Sequence, residues 1–215
     1  MNEEQKTRAP KHLRRYTDLP ALLHLLSNQQ LTLLDPKTWD DKNDSFFMSV
    51  YKERRALKSV LALCFSQASE TYHHWRVFSN GPAGVCILFD RDQLLLDLEA
   101  HPGIQTGPMD YLSMTAARGR EFRVEELPFI KRIGYRPENE FRVLYTSADQ
   151  ELPALGVPVR LSSIRGVSLS PWMHSALSKS VVQAIRAIDG CAKLKVSRST
   201  LISNEQWKGY ALGAS

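Results

Sequence analysis

Residues Gly84–Phe89 read Gly-Val-Cys-Ile-Leu-Phe, an almost continuous apolar run bounded by Gly81-Pro82-Ala83 and Asp90-Arg91. The run is too short for a buried helix, and a strand that is apolar on both faces must be covered on both. It therefore predicts a central strand, with other layers packed above and below it. Ser59–Phe65 is a second buried strand of the same kind, and Leu61, Cys64, Val85, Ile87 and Phe89 are expected in the core. Further short strands are expected at His12–Tyr16, Leu31–Leu34, Gly103–Thr115, Glu138–Tyr145, Val157–Leu161, Ile164–Leu169 and Leu194–Ser197, the pair after Val157 being joined by a turn.

Helical patterns alternate with these strands. Thr17 or Asp18 caps a helix over Leu19–Asn28, with Pro20 in its first turn. Further helices are read at Asp40–Leu57, with Phe46, Phe47, Val50 and Tyr51 inward, and at Glu70–Ser79 and Arg91–Glu99. A weak helix is read at Glu125–Ile133, and a long one from Pro171 to Ile188 with Gly190 at its C-terminal cap. Ser199–Trp207 reads as a polar tail. No repeat or linker interrupts the chain. The expected architecture is a single α+β domain over residues 12–215, with a mixed, mostly antiparallel sheet flanked by helices, behind a basic tail at residues 1–11.

A chain of 215 residues can bury a sizeable core. No apolar run approaches the roughly 18–20 residues that span a bilayer, and the start MNEEQKTRAPKHLRR has no apolar signal region. Three widely spaced cysteines argue for a reducing cytoplasm and against a disulfide framework. The net charge is +5, with a dense cluster at Lys6, Arg8, Lys11, Arg14 and Arg15. That balance favours anionic partners, although a solvated basic tail would look the same.

The segment Tyr135–Tyr145 carries the sharpest chemical signal. Read as one strand, it puts Glu138 and Glu140 on one face beside the apolar ladder Phe141, Val143, Tyr145. Two like charges side by side need a cation or a substrate between them. The simpler arrangement is a solvated pair matched to Arg136 or Arg142. Two other clusters stand out. Tyr72–Cys86 is rich in aromatic and imidazole groups, and its Trp75 suits core packing or a ring-stacking wall. His73 and His74 are adjacent, about 100° apart on a helix, so they cannot easily hold one metal. Asp35–Asp44 holds four acids without EF-hand spacing, and suits a loop in which Asp41 or Asn43 caps a helix. Nucleophile elbows and phosphate-binding glycine loops are absent.

The ordered motifs "HLRRYTDLPALLHLLSNQQLTLLDPKTWDDKND", "LALCFSQ", "HHWRVFSNGPAGVCILFD" and "YRPENEFRVLY" resemble the bacterial family called domain of unknown function 2971 over Leu13–Tyr145. The stretch from Leu169 to Leu201 resembles the C-terminal half of one branch of it. That family brings no activity with it. The order of elements is also similar to that of ADP-ribosyltransferases, in which a small split sheet holds NAD. That resemblance implies Arg15 as nucleotide anchor with Tyr16 beside it, and Tyr72 or Trp75 as the aromatic wall. It makes Glu140 the catalytic carboxylate and Glu138 the group that orients the acceptor. Cys64-Phe65-Ser66 stands where a Ser-Thr-Ser strand is expected, so Ser66 takes the middle position.

These readings imply an NAD-dependent ADP-ribosyl transfer, as a toxin or phage-defence effector, with NAD as substrate and no metal. The acceptor is open between a nucleic acid and a protein, and a partner or antitoxin protein is allowed. A binding module without catalysis, built on the basic N-terminus and an aromatic cleft, is the alternative. A metal-dependent hydrolase using Asp40, Asp41 and Asp44 is a third.

Overall fold

A computed structural model describes residues 9–79 and 81–212. In chain order the regular elements are β1 (His12–Asp18), α1 (Leu19–Asn28), β2 (Gln30–Leu34), α2 (Lys42–Arg54), β3 (Ser59–Ser66), α3 (Tyr72–Phe78), β4 (Gly84–Asp90) and α4 (Arg91–Glu99). They continue with β5 (Ile104–Pro108), β6 (Asp110–Leu112), α5 (Met114–Arg118), β7 (Ile130–Arg132), β8 (Glu140–Ser147), β9 (Ala154–Pro158) and β10 (Ile164–Leu169). The last are α6 (Ser175–Ala187), β11 (Val196–Arg198) and α7 (Glu205–Leu212). The fold is α+β. Only β10–β11 and β6–β7 pair in parallel; the other strand pairs are antiparallel.

The sheet is fully zipped in some places and barely joined in others. β1 runs beside β4 over seven residue pairs, and β3 beside β8 over eight. β1 and β3, its neighbour in the sheet order, meet at one pair, Arg14 and Ser66. Two well-formed halves therefore splay apart beyond that pair. The cause is visible in side chains. Arg15 Nη1 donates to the Cys64 carbonyl at 3.2 Å, so a guanidinium, not a backbone amide, satisfies that acceptor.

The two sheet faces carry different cores. On one face Leu13, Leu61, Leu63, Phe65, Val85, Ile87, Phe89, Phe141 and Val143 meet Leu22, Leu25 and Leu26 of α1, Leu94 and Leu98 of α4 and Ile185 of α6. On the other, Val60, Ala62 and Leu144 meet Met48 and Tyr51 of α2, while Tyr16 and Cys86 meet Trp75 of α3. Alternation along β3 and β8 divides their side chains between these faces. Caps follow expectation: Asp18 accepts from the Ala21 amide at 2.9 Å, and Asp41 accepts from Asn43 and Asp44.

Several expectations are corrected. α2 is shorter than Asp40–Leu57 and turns Phe46 outward, with Asp44 and Met48 inward. The strand expected at Val157–Leu161 is β9 at Ala154–Pro158; a turn at Leu161–Ser163 leads from it to β10, and the two pair elsewhere, β9 with β2 and β10 with β4. The polar tail expected at Ser199–Trp207 gives way at Glu205 to α7, which runs to Leu212. Strand β8 begins at Glu140, so Glu138 is not a strand residue. It closes a 3-10 turn, and Asn139 after it adopts the left-handed conformation at φ 44°. The basic tail lies mostly outside the described residues.

Candidate functional site

The second face of the sheet is left uncovered between α2 and α3, and there the splay of β1 from β3 opens a cavity of about 510 Å³. Its walls come from β1 (Arg14, Arg15, Tyr16), β3 (Cys64, Phe65, Ser66), the approach to α2 (Thr38–Asp41, Asp44), the end of α3 (Val77, Phe78), and Lys131, Tyr135, Glu138 and Glu140. One side is cationic and the other acidic.

The acidic side rests on a buried ion cluster. Arg142 has no exposed surface. Its Nε donates to Glu140 Oε1 at 2.8 Å, Nη1 to Asp44 Oδ1 at 2.9 Å and the Pro128 carbonyl at 2.7 Å, and Nη2 to Asp44 Oδ2 at 2.6 Å. Its guanidinium also lies 4.7 Å from the centre of the Trp39 ring. Lys131 Nζ donates to Glu138 Oε2 at 2.7 Å and Glu140 Oε2 at 3.0 Å, with Asp44 Oδ2 at 3.7 Å. The backbone locks the pair as well. The Glu140 amide donates to Tyr111 Oη at 2.8 Å, and Ser66 Oγ donates to the Glu138 carbonyl at 2.7 Å. His74, buried and stacked on Tyr16, lies beside Ser66 at 3.3 Å.

The two glutamates differ in proton affinity. Burial opposes ionisation of Glu140, but Arg142 and Lys131 outweigh it and hold its carboxyl at about 2. Burial raises Glu138 above the ordinary carboxylate value; Lys131 opposes this and Glu140 adds to it. Asp44 is raised by burial against the pull of Arg142. Burial lowers Arg15 to about 10, which leaves it charged at neutral pH. The cluster of Asp44, Glu138 and Glu140 thus has three carboxylates against two cations, Lys131 and Arg142. It is formally one positive charge short, beside the cavity.

Arg15, Tyr16, Ser66, Glu138 and Glu140 line this one cavity, and Tyr72 and Trp75 do not. Trp75 is wholly buried; its Nε1 donates to Glu70 at 2.6 Å and its ring packs edge-on to Tyr16 at 5.3 Å. It supports Tyr16 from below. Tyr72 points to solvent, with Arg76 5.2 Å from its ring centre and Trp172 at 5.7 Å. The narrow inward stripe of this seven-residue helix presents His74 and Trp75 and leaves Tyr72 outside, and Trp75 is packed beneath Tyr16 and Cys86, away from the cavity surface. The aromatic residues that line the cavity are Tyr16, Trp39, Phe65, Phe78 and Tyr135. Spacing gave no pointer to Lys131, whose strand β7 is only three residues long. Asp44 was visible as part of an acidic run, without its buried partner.

The cation between the carboxylates is the Lys131 ammonium. Among the described residues no group of three or more His, Cys, Asp or Glu is arranged to hold a metal ion, and no helix is long and apolar enough to cross a membrane.

No protein-family model matches the chain, and no curated protein matches it. Solved structures of similar architecture include Thermus sp. 2.9 DarT in complex with carba-NAD+, at a TM-score of 0.46 and 9% identity, covering 89% of this chain and 97% of that one. The same protein in complex with ADP-ribosylated ssDNA gives 0.46 and 9%, covering 89% and 95%. Its complex with NAD+ gives 0.45 and 11%, covering 89% and 96%.

Proposed function

We propose that this protein transfers ADP-ribose from NAD, and that the cavity opened by the splay of β1 from β3 is its active site. One observation carries the reading. A single cavity of nucleotide size presents arginines on one wall and, on the other, a carboxylate cluster one cation short. Arginine suits a pyrophosphate, and a fixed negative field is worth most where positive charge develops. Trp39, Tyr135 and Phe78 offer flat apolar surface for the rings of a dinucleotide.

The chemistry follows from the difference between the two glutamates. The bond between nicotinamide nitrogen and ribose C1′ breaks, and nicotinamide leaves with the electron pair. Positive charge then gathers on the ribose, where ionised Glu140 stabilises it. The acceptor's nucleophile bonds to C1′, and its proton passes to Glu138, the carboxylate with the higher proton affinity. The excess of positive charge on the chain favours a polyanionic acceptor such as nucleic acid.

The test is NAD consumption per folded molecule for the wild type, Glu140→Gln and Arg15→Leu. Glu140→Gln is expected to lower kcat by 10²-fold or more while NAD still binds, and Arg15→Leu to raise KM. Turnover by Glu140→Gln within about threefold of wild type would overturn the assignment.

A further inference from the structure

The cluster contains one group to which the proposed chemistry gives no role of its own, the ammonium of Lys131. Its side chain is 9% exposed and its Nζ touches both glutamates, at 2.7 and 3.0 Å. Arg142 reaches Glu140 but makes no bond to Glu138. We propose that Lys131 is a positioning residue: its ammonium bridges Glu138 and Glu140, aims both into the cleft, and sets how they divide charge stabilisation from proton acceptance. The inference takes these glutamates as the reacting pair, as the proposed function does.

The geometry supports a bridge in preference to a simple pair. Asn139, between the two glutamates, is in the left-handed region, so the chain turns and the side chains reach Nζ from two directions. Tyr135 holds the lysine from another side, its ring centre 4.8 Å from Nζ. The other charged or titratable groups near the pair are fixed as well. Asp44 of α2 is held by Arg142 of β8, and Tyr111 of β6 accepts from the Glu140 amide. Cys64 of β3 stays a thiol, because burial raises it well above its usual value. His74 of α3 meets the Glu138 carbonyl at 3.4 Å, and burial keeps it toward the neutral form. Asp41, before α2, faces the same cavity from across Tyr135. Lys131 is therefore the one cation in contact with Glu138 among the described residues.

The experiment is a side-chain carboxyl NMR titration of Glu138 and Glu140 in wild type, Lys131→Met and Lys131→Arg. An opposite charge within about 4–6 Å lowers a carboxyl pKa by roughly 1–3 units. In Lys131→Met, Glu138 is expected to titrate at least about one unit higher, and Glu140 to move less because Arg142 remains. Lys131→Arg is expected to restore both. Because Lys131→Met leaves three carboxylates with one cation, a second comparison reads Glu140 in Glu138→Gln with and without Lys131→Met. There the added substitution is expected to raise Glu140. Glutamates that titrate unchanged when the lysine charge is removed, in either comparison, overturn the proposal. The titration needs no NAD. A chain that shows these shifts but consumes no NAD would remove the proposed function and leave the role of Lys131 standing.

Discussion

Arg142 uses its guanidinium on two carboxylates and one carbonyl, with no surface in contact with water. A buried pair of this kind adds little over an apolar replacement of the whole cluster, but removing one partner strands the others in a medium that solvates them poorly. Arg142→Leu is expected to cost about 3–5 kcal/mol, read from urea melts. Glu140 has a matching pH signature. Its carboxyl falls from 4.5 to about 2 on folding, so the unfolded chain binds its proton more tightly. Its contribution, on the order of 3 kcal/mol, is present above pH 4.5 and lost as pH falls toward 2. The stability gap between wild type and Glu140→Gln is expected to narrow over that window in urea melts at stepped pH. Glu138 has the opposite sign: its raised value means that its contribution weakens as pH rises. Lys131 and Arg142 are the cations that the neighbouring carboxylates Glu138 and Glu140 need.

At the scale of elements, α6 shows where helical spacing is informative. Leu177, Val181, Ala184, Ile185 and Ile188 recur at the helical period, which predicts one apolar stripe. The helix docks through its second half: Ile185 is fully buried, while Leu177 is 61% exposed. Ile185→Ala is expected to lose about 2–5 kcal/mol, and Leu177→Ala to stay within about 0.5 kcal/mol, both measured by thermal or urea melts. Gly190 lies in the left-handed region at φ 76°, but it is not the cap expected of it: the helix ends at Ala187 and is capped by Ile188. α2 shows where spacing is a poor guide. Its apolar residues Phe46 and Phe47 suggested the inward face, but the face is chosen by Asp44, which Arg142 draws in from 98 residues away. No local pattern in residues 42–54 records that partner.

For the whole molecule, the splayed sheet is the feature that makes a site. A fully paired β1–β3 ladder would close the space that now holds Arg15, Tyr16, Cys64 and Ser66. A ligand in that space binds the folded chain alone, so it stabilises by mass action, about 2.7 kcal/mol at a hundredfold excess over Kd. NAD at millimolar concentration is expected to raise Tm, read by a thermal melt with and without the dinucleotide. Cys86 is buried, its thiol pushed up to about 12 by burial, and is expected to label only on unfolding. Mass spectrometry after pulse labelling with a thiol reagent checks this; rapid labelling of Cys86 in the folded protein would contradict it.

The strands at Ser59–Ser66 and Gly84–Asp90, the helices at Leu19–Asn28 and Arg91–Glu99, and the prominence of Glu138 and Glu140 were all legible in the chain itself. Each rests on local physics: apolar runs, helical period, caps and charge spacing act over a few residues. The tertiary structure decided the rest. It broke the reading of Glu138 and Glu140 as strand neighbours, because Asn139 turns the chain between them. It placed Trp75 under the site and Trp39 beside it, because packing of short helices, not aromatic content, selects which ring faces a cavity. It also supplied Lys131, Arg142 and Asp44 as one buried cluster. Such a cluster exists only when distant segments are desolvated together, and desolvation is a property of the folded whole.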